Sequence, residues 1–212
     1  MKDDTSNAGI DPGKGEVGLM LVVSGPSGCG KSTICRRLLE DPRVTFSVSA
    51  TTRPMRPGEV DGRDYVFVDK ERFRALIEEG AFIEWAEVHG NLYGTLRVEL
   101  DKALATHRVV LVEIDVQGGA QLKALDLPGL YVFIAPPDME TLERRLVGRG
   151  TDAKDVIERR LRKAREEMLA QDKYDEVIVN DDLERAIEAV RALAGLVEGP
   201  LPTAEDERSG AR

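Results

Sequence analysis

The sequence predicts an α/β fold in which a parallel sheet is flanked by helices on both faces. Three near-continuous apolar runs, Leu19–Ser24, Val109–Asp115 and Leu130–Ala135, alternate with helical patterns, as strands buried on both faces do. A Gly-rich turn and a helix follow the first run directly. The segment from about 50 to 100 breaks this rhythm with aromatic-containing strands and little helix, and reads as an inserted lobe.

Leu19–Ser24 opens the domain, and the helix after its turn runs through Glu40. The β-branched run Val44–Val48 is a strand leading into a polar loop with two prolines, Thr51–Gly62. Tyr65–Val68 is a strand, and Asp69 caps a short helix that ends at Gly80. Phe82–Val88 is a strand, with Thr95 as the cap of a helix over Leu96–Ala105. Helices follow at Gln117–Leu125 and at Met139–Val147, the latter capped by Asp138. Asp152 or Asp155 opens a long charged helix to Ala170, Glu176–Val179 is the last strand, and Asp181 or Asp182 caps the closing helix. Residues 1–17 and 199–212 are polar and without periodicity, so they read as disordered tails around a domain at 18–198.

Of the 212 residues, 42% are hydrophobic and 33% charged, enough apolar material for one domain with a sizeable core. The longest unbroken apolar stretches are too short to cross a bilayer, and no signal-type segment opens the chain. Two cysteines, Cys29 and Cys35, cannot build a disulfide framework, which fits a reducing, cytoplasmic setting. The net charge of −9 argues against broad nucleic-acid binding. Arginine dominates the bases, and Arg53/Arg56, Arg144/Arg145/Arg149 and Arg159/Arg160/Arg162 form clusters suited to bidentate phosphate contact. Arg144, Arg145, Arg159 and Arg162 lie among Glu143, Glu158 and Glu166, and read instead as solvated helix faces. His89 and His107 stand alone and receive no role.

Gly25-Pro26-Ser27-Gly28-Cys29-Gly30-Lys31-Ser32 fits G-x-x-x-x-G-K-[ST] between a buried strand and a helix, the P-loop NTPase arrangement, and Thr33 continues it. Its glycines let backbone N–H groups wrap phosphate oxygens at the helix N-terminus. Lys31 reaches the β- and γ-phosphates, and the Ser32 hydroxyl is placed to ligate Mg²⁺. Glu113 and Asp115, one residue apart at the carboxyl end of a strand, share a face where α/β sheets bind ligands. One can support the metal, and the other a second ligand. Cys29 is a small residue that fits the turn, or else a thiol made reactive by the helix N-terminus.

Further motifs complete a pattern: Ser47-Val-Ser49-Ala-Thr-Thr-Arg53-Pro-Met-Arg56-Pro-Gly-Glu59, Gly62-Arg-Asp-Tyr65, Phe82-Ile-Glu84-Trp85, Gly90-Asn-Leu-Tyr93-Gly-Thr95, Glu113-Ile-Asp115-Val-Gln-Gly118 and Val179-Asn180-Asp-Asp182. Together with the Gly-rich turn, from Leu19 to Leu196, the chain resembles guanylate kinase. The resemblance implies transfer of the γ-phosphoryl group of ATP to GMP or dGMP, with Mg²⁺. It implies a core, a GMP-binding lobe at about 49–100 and a helical lid at about 137–170. On this resemblance Arg53, Arg56, Tyr65 and Tyr93 hold the GMP phosphate. Glu84 accepts from guanine N1–H and N2–H, Ser49 and Thr95 donate to O6, and Asp115 meets the amino side. Glu113 joins the GMP site, and Ser32 and Asp115 are the metal-side residues. Arg149 and Arg160 cover the ATP phosphates, so Lys31, Arg56, Arg149 and Arg160 carry the transfer. Asn180 lies near the adenine, or caps a helix. Thr95 and Glu113 depart from the serine and aspartate frequent in the family, which leaves open whether Glu113 or Asp115 supports the metal. A phosphopeptide-binding relative lacking a working cradle is the alternative, and Lys31, Ser32, Arg149 and Arg160 argue against it. A P-loop kinase for another acceptor keeps the cradle but gives no reason for Glu84, Ser49 and Thr95 to converge. The sequence does not fix an oligomeric state.

Overall fold

The computed structural model describes residues 18–88, 90–148 and 154–197. Five parallel strands form the main sheet in the order β2-β7-β1-β8-β9: β1 (Leu19–Ser24), β2 (Val44–Phe46), β7 (Val109–Glu113), β8 (Leu130–Ala135) and β9 (Glu176–Val179). In β1 and β7 nearly every side chain is buried, because helices cover both faces. On one face α1 (Lys31–Leu38) and α7 (Leu183–Leu193) bring Ile34, Leu38, Ile187 and Val190 onto Leu21, Val23 and Leu111. On the other, α3 (Arg97–Thr106) and α4 (Val116–Ala124) set Leu100 and Leu122 against Val22, Val110 and Val112. Each such side chain, fully removed from water, contributes roughly 1.5–3 kcal/mol.

The inserted lobe is a second, mixed sheet, β4-β3-β6-β5, of β3 (Ser49–Thr51), β4 (Val66–Phe67), β5 (Phe82–Val88) and β6 (Asn91–Leu96). It folds over α2 (Lys70–Glu78), where Phe73 stacks on Phe82 with ring centroids 4.5 Å apart. Asp69 caps α2 as expected, accepting from the Arg72 N–H at 2.7 Å. The strand register shifts between Phe82 and Glu84, and three successive side chains become buried. Phe82 enters the lobe core, Ile83 joins the main core and Glu84 faces a cleft between the sheets. The pair α5 (Met139–Gly148) and α6 (Lys154–Met168) packs through Leu142, Leu146, Leu161 and Ala164. Among the described residues no helix is long and apolar enough to cross a membrane.

Three expectations are corrected, and the cap of the closing helix is resolved among its alternatives. The run Val44–Val48 is divided: β2 stops at Phe46, and the chain enters the other sheet at Ser49. Thr95 is not a helix cap but a strand residue, paired across β6 with both Ser49 and Glu84. β7 ends at Glu113, and Asp115 caps α4, accepting from the Gly118 N–H at 2.9 Å. Asp182, not Asn180 or Asp181, caps α7. The tails, His89, Arg149 and Asp152 lie outside the described residues.

Candidate active site

The turn after β1 folds as a phosphate-binding loop because its glycines take conformations closed to other residues. Gly30 (φ 104°) is the N-cap of α1, and a Cβ there would lie 2.2 Å from Asn180 Nδ2. No side chain caps this helix, and its first turn carries no acid, so its N-terminal N–H groups and positive dipole end are left for an anion. Lys31 lies across the turn, donating to the carbonyls of Gly25 at 2.5 Å and Pro26 at 3.0 Å. Ser32 donates its hydroxyl proton to Glu113 Oε1 at 2.6 Å, joining two hard oxygen donors from α1 and β7.

Behind the turn, Asn180 is 3% exposed and donates to the Cys29 carbonyl at 2.8 Å. Arg145 donates to the Asn180 carbonyl at 2.9 Å and the Cys29 carbonyl at 3.4 Å, so it is a structural clamp and not a solvated helix charge. Cys29 is fully buried, which leaves the bland reading of this thiol, since a reactive thiol needs access.

A cavity of about 290 Å³ runs from this turn to the lobe. At the turn end it is lined by Gly25, Ser27, Gly28, Gly30, Lys31, Ser32 and Thr33; at the lobe end by Ser49, Arg56, Tyr65, Glu84 and Tyr93; and between them by Glu113 and Asp115, while Arg160 lines it from α6. Tyr65 and Tyr93 meet edge to face at 6.0 Å, and burial pushes the Tyr65 hydroxyl up to about 12, keeping it a neutral donor. Arg53 stands beside this wall over the Tyr65 ring, held by Glu59 through two bonds of 2.7 and 3.0 Å. Glu59 also accepts from the Arg56 N–H at 2.7 Å, so one carboxylate fixes both the Arg53 fork and the backbone that presents Arg56. That hydrogen bonding holds the Glu59 carboxyl below the usual carboxylate range.

Glu84 is 5% exposed. Its Oε1 accepts from Thr95 twice, from the N–H at 3.1 Å and the hydroxyl at 2.6 Å. Burial raises its pKa to about 7; the Thr95 hydroxyl opposes this, and the nearby Asp115 charge adds to it. Oε2 lies so close to α4 that a Cβ at Gly118 would meet it at 2.5 Å, so only glycine leaves the carboxylate room. Thr95 therefore orients Glu84: its single hydroxyl proton is committed there and is not available for a base oxygen in this arrangement. Likewise the structure brings Glu113, not Asp115, to Ser32, while Asp115 gives Oδ1 to the α4 cap.

Two charged cavity-lining residues escape the sequence reading. Lys163 and Glu167 project from α6, three and seven residues beyond Arg160 and thus on one helical face with it. That spacing was the available signal, but in a helix so rich in both charges it also describes a solvated ion-paired face. Burial pushes the Glu167 carboxyl up.

The guanylate kinase family model matches residues 18–195. A guanylate kinase from Parasynechococcus marenigrum is 48% identical over 181 residues, covering 85% of this chain and 100% of its own. One from Nitratidesulfovibrio vulgaris is 54% identical over 182 residues, covering 85% and 87%. The crystal structure of guanylate kinase from Anaplasma phagocytophilum superposes with a TM-score of 0.69 at 38% identity, covering 85% of this chain and 86% of that one.

Proposed function

Since the chain belongs to the guanylate kinase family and transfers the γ-phosphoryl group of ATP to GMP, giving ADP and GDP, we propose that the donor binds at the Gly-rich turn and the acceptor in the lobe. The observation that carries this assignment is the buried Glu84 carboxylate at the lobe end of a cavity whose other end is a phosphate-binding loop.

The ATP phosphates lie on the N–H groups of Gly25 to Thr33, with Lys31 leaving its backbone carbonyls for the β- and γ-phosphate oxygens. Arg160, which lines the same cavity, and Arg149, outside the described residues, are assigned to the ATP phosphates as the two arginines of a lid at about 137–170. Asn180 and Arg145 keep the loop rigid from behind, on the adenine side. Ser32 and Glu113 fit a Mg²⁺ ion, which takes hard oxygens and keeps most of its shell for water and phosphate. When bound, that ion neutralises charge on the β- and γ-phosphates.

Arg56, Tyr65, Tyr93 and the Glu59-anchored Arg53 receive the acceptor phosphate. The attacking phosphate oxygen is already an anion, so no side chain has to remove a proton from it. Glu84 and Asp115 accept from guanine N1–H and N2–H, and Ser49 is the hydroxyl that remains for O6. Adenine lacks those two donors and leaves a buried carboxylate unpaired, a mismatch worth roughly 10⁴-fold in discrimination. Composition and cysteine usage support a cytoplasmic setting. The test is ADP formation from ATP and Mg²⁺ with GMP, AMP, CMP and UMP in parallel. Rapid turnover confined to GMP supports the assignment of Glu84, and comparable turnover with AMP refutes it.

A further inference from the structure

Three carboxylates gather along the cavity around Asp115. Glu84 from β5, Asp115 at the head of α4 and Glu167 from α6 all line it, and Glu84 and Glu167 both feel the Asp115 charge, Glu167 feeling the Lys31 ammonium as well. Tyr174, beyond α6, feels the same charge. Asp115 Oδ1 is tied to the Gly118 N–H, but Oδ2 is buried and has no hydrogen-bond partner. A buried carboxylate oxygen in that state is costly unless a cation stands near it. Lys163 supplies one: its ammonium lies 3.7 Å from Asp115 Oδ2 and 3.4 Å from Glu167 Oε1. The lysine is 31% exposed, so its own charge remains partly solvated while it offsets two carboxylates that are far less so. It also reaches them from α6, the helix from which Arg160, one turn earlier, lines the same cavity.

We propose that Lys163 is a positioning residue for the acceptor: its ammonium, delivered by α6, holds the Asp115 carboxylate turned toward the guanine subsite. The inference rests on the reading of Asp115 as a guanine acceptor given above. Without the ammonium, Asp115 Oδ2 is a buried charge beside the Glu84 and Glu167 carboxylates, and its favoured response is to turn away from them and from the base. The larger loss falls on GMP, because Lys163 pairs with Asp115, which is assigned to the base, and reaches the donor-loop Lys31 only through the field on Glu167.

The test uses the full chain and measures GMP affinity by titration calorimetry, with KM for GMP and for ATP. Lys163→Met weakens GMP binding about tenfold and leaves KM for ATP within about twofold, and Lys163→Gln behaves the same way. Lys163→Arg keeps the charge and stays within about threefold of the parent. In an Asp115→Asn background the Lys163→Met loss shrinks to under about twofold, since the group it acts through is gone. Unchanged or tighter GMP binding in Lys163→Met overturns the proposal, as does an equal loss in both backgrounds. Should Asp115→Asn alone leave GMP binding intact, the acceptor reading of Asp115 fails, and the proposal fails with it.

Discussion

Replacing Glu84 by glutamine should stabilise the free protein while damaging its function. The Glu84 pKa rises from the ordinary 4.5 to about 7, chiefly because the group is buried. Between those values the folded protein keeps a proton that the unfolded chain has released, so stability falls as pH rises through that window. Below about 4.5 the penalty is absent, and above about 7 it is complete. At about 1.4 kcal/mol per pH unit it amounts to about 3 kcal/mol at pH 8. Glutamine escapes it, and its amide oxygen can still accept both Thr95 bonds. Melting temperatures of the parent and Glu84→Gln, measured without nucleotide, should therefore nearly coincide at pH 4.5 and separate steadily toward pH 8. There the variant should melt higher by on the order of 5–10 °C. GMP needs the ionised carboxylate, so its affinity for the parent should rise from pH 5.5 to 8, whereas the variant binds weakly and keeps only the shallower rise set by the second ionisation of the GMP phosphate at about pH 6. A melting difference that does not change with pH, or one that favours the variant in acid, would falsify this account of a strained recognition carboxylate.

Lys31→Ala should lower turnover at least about 10²-fold while GMP affinity stays within about threefold, because Lys31 belongs to the donor loop; calorimetry beside the kinetic assay separates the two. Glu59→Gln removes the anion that fixes both Arg53 and the Arg56 backbone, so KM for GMP should rise about tenfold with a smaller change in kcat, read by steady-state kinetics. Asp41 is a structural case: 7% exposed and paired with Arg43 at 2.6 Å and Arg191 at 3.2 Å, its carboxyl is held far below the usual range. Its stabilisation is present above about pH 4 and is lost as acid protonates it. Asp41→Asn should therefore cost about 3 kcal/mol in urea melts at pH 7, and that deficit should shrink toward pH 3.

The main sheet was legible because strands buried on both faces leave unbroken apolar runs: the bounds of β1, β8 and β9, and of β5 in the lobe, agree with the sequence reading to the residue. The lobe was harder. β3 has only three residues, too few to show alternation, β6 does not alternate because its last three residues are all buried, and Thr95 before a helix imitates a cap. The site followed the same division. Residues that act through their backbone and spacing, such as Gly25 to Ser32, were readable in a line. The pairings between residues were not, because the partners are distant in sequence: Ser32 meets Glu113, Arg145 meets Cys29, and Lys163 meets Asp115.

On the proposed assignment of the two subsites, the turn from β7 into α4 holds the substrates in register. Glu113, the last residue of β7, reaches Ser32 at the donor end, while Asp115, the cap of α4, faces Glu84 and Lys163 at the acceptor end. Ile114 between them is 9% exposed and packs into the main core with Val110 and Val112. Its side chain cannot turn outward without leaving that core, so the carboxylates on either side cannot slide along the cavity. An α/β sheet places ligands beyond the carboxyl ends of its strands, and here a single buried isoleucine fixes the spacing of the two carboxylates assigned to the opposed subsites. Since phosphoryl transfer asks mainly for position and charge, that spacing, on the proposed reading, belongs to the catalytic apparatus as much as the arginines assigned to it.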